Sequence, residues 1–313
     1  MKILVTGGAG FIGSHLVKNL LDSGNEVTAM DNLSSGSRRN LTSGVEVSNL
    51  SILIMDVVDK VALPRFDQIY HLASLASPVF YQKDPIGTAL SNSAGTYNML
   101  VHARANKSRI LFASTSEVYG NPLQHPQRES YWGNVNPNGI RSCYDESKRF
   151  GESLMMDFHR QHGIETRIAR IFNTYGPGMK SNDGRVVPNF ILQALAHRPI
   201  TVYGDGKQPR SFCYVSDTVR GLISLMNSAF MESVNIGNPK EITVMELVEK
   251  IKELTGSKSE IVFTPLPEDD PQRRCPDIRR AKQVLAWEPG VSLEEGLKET
   301  IGWFKQELKA GGR

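Results

Sequence analysis

The chain has 313 residues, 40% hydrophobic and 22% charged, the balance of a globular protein with room for one large or two ordinary domains. Its net charge of +3 is the difference of 36 basic and 33 acidic residues, spread without a basic tract or interleaved aromatics, which argues against nucleic acid as a partner. No apolar run approaches the roughly 20 residues that cross a bilayer, and the first apolar stretch opens at Lys2 with no room for a leader, so a cytoplasmic protein with no membrane partner is expected.

In chain order, "KILVTGG" (2–8), "HLVKNLLDSGNEV" (15–27) and "TAMDN" (28–32) predict strand, tight turn, helix and strand, with Leu16, Leu20 and Leu21 at helical spacing and Gly24 at the helix end. The alternation recurs in "QIYHLAS" (68–74), a helix around 92–106, "RILFAST" (109–115), a helix opening near Ser142 and "ETRIARIFN" (165–173). Strands alternating with helices predict an α/β fold, a Rossmann-type doubly wound parallel sheet covered on both faces. Beyond about 170 Pro and Gly become frequent. Residues 1–170 therefore read as a nucleotide-binding domain, and 171–313 mainly as a smaller mixed α/β lobe with a segment near 212–238 returning to the first. Cys143, Cys213 and Cys275 are far apart and lack metal-ligand spacing, so neither a disulfide framework nor a metal site is expected.

"TGGAGFIG" (6–13) carries Gly8-x-Gly10-x-x-Gly13 and equally Gly7-x-x-Gly10-x-x-Gly13, after an apolar strand and at the start of an amphipathic helix. That context suits a dinucleotide: glycines let the backbone approach a pyrophosphate, whose charge meets the positive helix end at Phe11 and Ile12. Asp31, 18 residues after Gly13, is placed to accept from a ribose diol and to repel a 2′-phosphate, which favours NAD over NADP, although Arg38 and Arg39 are near. Asp56, after the third strand, is either an adenine contact or turn chemistry.

Tyr144 and Lys148 stand four residues apart on a predicted helix and project from one face. A phenol must lose about three pKa units, roughly 4 kcal/mol, to act as base at neutral pH; an ammonium beside it and a positive nicotinamide ring push that way. Thr115, at the end of the strand 109–115, can bond the same substrate hydroxyl.

Together, "TGGAGFIG", "HLAS" (71–74), "STSEVYG" (114–120), "YDESK" (144–148) and "ARIFNTYGPG" (169–178) make the chain resemble, nearly end to end, the extended short-chain dehydrogenase/reductases that modify nucleotide sugars. The pair Ser116-Glu117, with "HLASLASP" (71–78), "NDGRVVPNFILQAL" (182–195) and "DDPQRRCPDI" (269–278), is similar to the UDP-glucuronate decarboxylase group, apart from Leu75 where that group usually has Pro. The resemblance implies NAD as a regenerated cofactor, with Lys148 also contacting it, a UDP-sugar substrate and a homodimer. Oxidation at C4 of a glucuronate makes a ketone β to the C6 carboxylate, carbon dioxide leaves, and hydride returns to C4, giving UDP-xylose.

Site roles implied by the same resemblance put Ser116 and Glu117 beside C5 and C6, with Arg274 completing the site from the small lobe. Glu117 either disfavours the substrate carboxylate by like charge or orders a water, and a firm grip by Arg274 would oppose the reaction by stabilising the ground state. Asn173, Arg185, Tyr203 and Arg210 match positions near the nucleotide and diphosphate. Tyr119 is either a packed aromatic or a neighbour of the nicotinamide, and His71 reads as a structural histidine. The alternatives are a UDP-hexuronate 4-epimerase, a 4,6-dehydratase, and a non-catalytic NAD-sensing module. The helices near 92–106 and 144–163 carry apolar residues in surplus (Met99, Leu100, Leu154, Phe158), which suggests the dimer face.

Overall fold

A computed structural model describes residues 1–42, 48–60, 62–266, 271 and 273–311. Asp269, Asp270 and Gln272 of the motif at 269–278 lie outside the described residues. The apolar runs of the first half become strands β1 (Lys2–Thr6), β2 (Glu26–Asp31), β3 (Leu50–Ile54), β4 (Gln68–His71), β5 (Arg109–Thr115) and β6 (Thr166–Ile171). The second half supplies β7 (Thr174–Tyr175), β8 (Ile200–Tyr203), β9 (Pro209–Ser211), β10 (Cys213–Tyr214), β11 (Ser233–Ile236), β12 (Glu241–Thr243) and β13 (Ile261–Thr264).

Seven strands form one parallel sheet in the order β11-β6-β5-β4-β1-β2-β3. β4 is buried throughout and β5 at all but its first residue, because helices cover both faces and alternation is then unnecessary. Strand order reverses between β1 and β4. The loops leaving their carboxyl ends therefore splay apart, and this is where a parallel α/β sheet opens a crevice. Gly7–Gly10 follows β1, Leu72–Ser74 follows β4, and Thr115–Glu117 ends β5, so three of the motifs meet at one edge.

Two hydrophobic clusters flank that edge. One buries Ile3, Val5 and Leu16 with Val219, Leu222 and Val234, so the helix Val215–Asn227 packs on the sheet, of which β11 is an edge strand. Ile278, Ala281 and Trp287 join it, a second crossing of the chain that the sequence pattern did not reveal. The other gathers Phe190, Val202, Leu247, Ile251 and Phe304 from the helices Val186–Leu195, Val244–Thr255 and Leu293–Gly311.

The helix Ser142–His162 packs against the π-helical turn Ser91–Gly95 and the helix Thr96–Asn106. Met99 and Leu100 lie in the intrachain core with Leu4, Ile69 and Phe112, so they do not form an outer face; they point at the sheet, whose own apolar surface needs covering. The outward apolar residues on these helices are Tyr97, Val101 and Phe150. Among the described residues no helix is long and apolar enough to cross a membrane.

Candidate active site

The glycine turn is built by close approach. Gly7 has φ +71°, a left-handed conformation, and a Cβ there would lie 2.8 Å from the Ala73 amide nitrogen. A Cβ on Gly13 would collide with the Gly7 carbonyl oxygen. The helix Phe11–Asp22 thus starts immediately above the strand end, with Gly10 as its cap and its first N–H groups facing the crevice without helical acceptors. Asp31 is buried at the end of β2 and accepts from Ala9 N at 3.0 Å and Leu33 N at 2.8 Å; burial pushes its carboxyl up, against those two N–H donors. Asp56 caps its own turn through Val58 N and accepts from Asn32 Nδ2 at 2.7 Å. Arg39 turns away to Glu307 at 2.9 Å.

From this turn a cavity of about 570 Å³ runs to the small lobe. Gly7, Gly10, Phe11, Ile12, Gly13, Asp31 and Asp56 line one end. Thr115, Ser116, Glu117, Tyr144 and Lys148 line its middle, and Asn173, Arg185, Tyr203, Arg210 and Arg274 line the far side. These residues thus border one space, whereas Gly8 and Tyr119, also singled out in the sequence, do not line it.

At the centre, the Thr115 hydroxyl accepts from Glu117 N at 3.2 Å and lies near the Tyr144 phenol, whose pKa it lowers. Lys148 is buried; its ammonium donates to the Ala113 carbonyl at 2.8 Å and lies 5.7 Å from the centre of the Tyr144 ring. Burial lowers the Lys148 pKa to about 7, with Glu152 opposing. Tyr144 departs from expectation. Burial, aided by the charges of Glu117 and Asp145, raises the phenol above its ordinary value, so the protein alone keeps it protonated. Tyr81 stacks on it at 5.1 Å.

Glu117 is gripped from two sides: Arg141 Nη2 donates to Oε1 at 2.8 Å and Arg274 Nη2 to Oε2 at 2.7 Å. Burial would raise its pKa, but the two guanidiniums, Arg274 first, outweigh that and hold the group below the usual carboxylate range. Arg141 was not anticipated. Its only sequence signal is its place three residues before Tyr144, where the helix begins. Beside it Asp145 is buried, its Oδ1 has no partner, and burial followed by the Glu117 charge raises its pKa to about 8.

Two buried amides, also missed, fix the segment that carries Arg274. Gln127 Oε1 accepts from Cys275 N at 2.8 Å, and Gln127 N donates to Cys275 O at 2.9 Å. Asn235 Nδ2 donates to the Gln127 carbonyl at 3.0 Å and to that of Asp277 at 3.1 Å. Tyr119 OH donates to Asn235 Oδ1 at 2.8 Å and accepts from Arg170, so Tyr119 is a buried strut and does not line the cavity. His71 is a satisfied structural histidine between Thr6 and Thr96, its pKa lowered to about 3, by burial first.

On the far side Arg185 pairs with the buried Asp183, and its guanidinium lies 5.9 Å over the Phe11 ring. Arg210 donates to the Pro271 carbonyl at 2.8 Å, and Asn173 to that of Ser211 at 3.4 Å.

A parallel sheet with a glycine cradle at its switch point and a Thr–Tyr–Lys group beside it defines a dinucleotide-dependent enzyme. The chain belongs to the NAD dependent epimerase/dehydratase family, whose model matches residues 3–237. It is 54% identical over 308 residues to UDP-glucuronic acid decarboxylase 1 of Danio rerio, covering 98% of this chain and 73% of that one. It is 56% identical over 298 residues to UDP-glucuronic acid decarboxylase 6 of Arabidopsis thaliana, covering 95% and 87%. Among solved structures it is similar to UDP-glucose 4-epimerase of Thermotoga maritima with UDP-glucose, at 33% identity and a TM-score of 0.91 over 98% of this chain and 100% of that one. The UDP-glucuronic acid 4-epimerase of Bacillus cereus, solved with UDP-glucuronic acid and NAD, gives 28% identity and a TM-score of 0.87 over 98% and 100%.

NAD is the cofactor, and the glycine cradle fits it: without a Cβ at Gly7 or Gly13 the turn packs directly on the backbone of Ala73 and Gly7, which leaves the first N–H groups of the helix Phe11–Asp22 open to a pyrophosphate. Asp31→Ala removes a charged acceptor from the ribose end, and NAD affinity measured by calorimetry is expected to fall about tenfold or more. Unchanged affinity would show that Asp31 serves only to order the Ala9 and Leu33 amides.

Proposed function

We infer that the chain is a UDP-glucuronate decarboxylase, converting UDP-glucuronate to UDP-xylose through a 4-keto intermediate with NAD regenerated. The observation that carries this reading is the Arg141–Glu117–Arg274 cluster in the same cavity as Thr115 and Tyr144. Two cations and one anion leave a net charge of +1, the complement of a single carboxylate. A 4-epimerase, which leaves the carboxylate in place, has no need to hold one against a competing glutamate. The names support the same choice, since the relatives called decarboxylases are 54% and 56% identical whereas the epimerase structures are 33% and 28% identical.

When bound, NAD supplies a reversible hydride acceptor and a positive ring that favours the tyrosinate. Tyr144 exchanges a proton with the C4 hydroxyl, and the Thr115 hydroxyl holds the phenol in line for it. Once C4 is a ketone, the electrons of the breaking C5–C6 bond pass into an enolate, carbon dioxide leaves, and C5 takes up a proton. Arg274 spends one Nη2 donor on Glu117, so the substrate carboxylate and Glu117 compete for the same guanidinium. Substrate binding therefore weakens an ion pair that recovers as the negative charge departs from C6, which keeps the Arg274 grip on the ground state from being firm. Ser116 is buried at the same wall, beside C5 and C6 in this reading.

Incubation with UDP-glucuronate carrying ¹³C at C6, followed by NMR, tests the function directly. A pentose product and labelled carbon dioxide are expected. A hexuronate epimer that keeps the label would replace this reading with the epimerase one.

The same reading includes a homodimer. Its support is the exposed apolar face of Tyr97, Val101 and Phe150, with Tyr97 packed edge-on to Phe158 at 5.8 Å. Sedimentation at micromolar concentration is expected to give twice the chain mass, and Val101→Glu to shift it to monomer; monomer in the unaltered protein would remove the dimer. A cytoplasmic location also belongs to this reading, supported by three free cysteines.

A further inference from the structure

We propose that His125, Glu241 and Cys275 form a binding site for one zinc-class divalent cation, on the clamp that carries Arg274. One donor atom from each of the three lies within 4.8 Å of the others. They come from three separate segments, the loop after the Gly120 turn, the first residue of β12, and the residue after Arg274. This explains why sequence spacing conceals the set. His125 Nε2 is 2.9 Å from the Glu241 carboxylate, and the Cys275 thiol is buried against the Pro239 carbonyl at 3.4 Å.

An imidazole nitrogen, a carboxylate oxygen and a thiolate sulfur are the donor types that zinc takes, three from protein with a fourth position for water. Bonds of about 2.0 Å to nitrogen or oxygen and about 2.3 Å to sulfur place tetrahedral donors about 3.3–3.5 Å apart, so the sulfur needs to move by about 1.3 Å at most. The His125 and Glu241 side chains are each 28% exposed, which opens one side to an entering cation and its water. The backbone of Cys275 is already fixed by the two Gln127 hydrogen bonds, so this donor is presented by a rigid element. On binding, the thiol loses its proton to solvent and the His125–Glu241 contact is exchanged for two metal bonds. The cation then ties β12 and the loop at 125 to the segment bearing Arg274.

The test uses the untagged full chain, freed of metal by a chelator, with Cd²⁺ as probe. The thiolate-to-metal absorption band should saturate at one cation per chain, reverse with Zn²⁺, and accompany a rise in melting temperature. Cys275→Ser should abolish the band and Cys143→Ser should leave it. His125→Gln, which spares the buried thiol and therefore the fold, should weaken binding about tenfold or more. A band that fails to saturate, survives Cys275→Ser, or keeps its affinity in His125→Gln overturns the site and leaves an ordinary His–Glu ion pair beside a buried thiol.

Discussion

Tyr144→Phe is expected to lower kcat for carbon dioxide release by about 10²–10⁴-fold, the usual contribution of a placed acid–base group. Affinity for NAD should change little, because the cradle at Gly7–Gly13 and the acceptor Asp31 are untouched. The phenol ring is buried and stacked on Tyr81, so Phe preserves the packing and a lost fold cannot explain the result. What disappears is one hydroxyl near Thr115. Release of labelled carbon dioxide at the unaltered rate would assign the proton transfer to another group.

Glu117→Gln should separate two parameters. Loss of the charge removes the anion that Arg274 pairs with among the described residues, so the substrate carboxylate meets less competition and KM for UDP-glucuronate should fall. The ion pair that reforms as carbon dioxide departs is also gone, and kcat should fall about 10²-fold or more. A lowered kcat with a raised KM would mean that Glu117 only positions the two arginines. An unchanged kcat would make it scaffold. Two guanidiniums left in a buried site without their anion also predict a lower melting temperature, with a cost of about 3–5 kcal/mol as the upper range for breaking a buried pair. Turnover should therefore be measured well below that temperature.

Much of this was legible in the chain. Apolar runs of strand length alternating with helices determine a parallel sheet, because each crossover helix covers a face and strands buried on both faces need no alternation of their own. The glycine spacing determines the cradle for the same local reason: the turn from β1 into its helix lies within consecutive residues, and backbone contact at Gly7 and Gly13 tolerates no Cβ. Tyr144 and Lys148 needed only the helical repeat. Resemblance added the substrate class and the importance of Ser116, Glu117 and Arg274.

Other features were decided only by the folded chain. Whether Met99 faces the sheet or a partner depends on how its helix is rotated, and a short apolar pattern does not specify rotation. The protonation of Tyr144 is set first by burial, which outweighs the opposing effects of Thr115 and Arg185. Arg141, Gln127, Asn235 and the meeting of His125, Glu241 and Cys275 all depend on side chains tens to more than a hundred residues apart in sequence. Local sequence determines backbone periodicity and turn chemistry, since both act within a few residues. Partnerships across the cavity arise where the sheet edge brings separate loops together, and the low dielectric of that closed space then settles which charges persist.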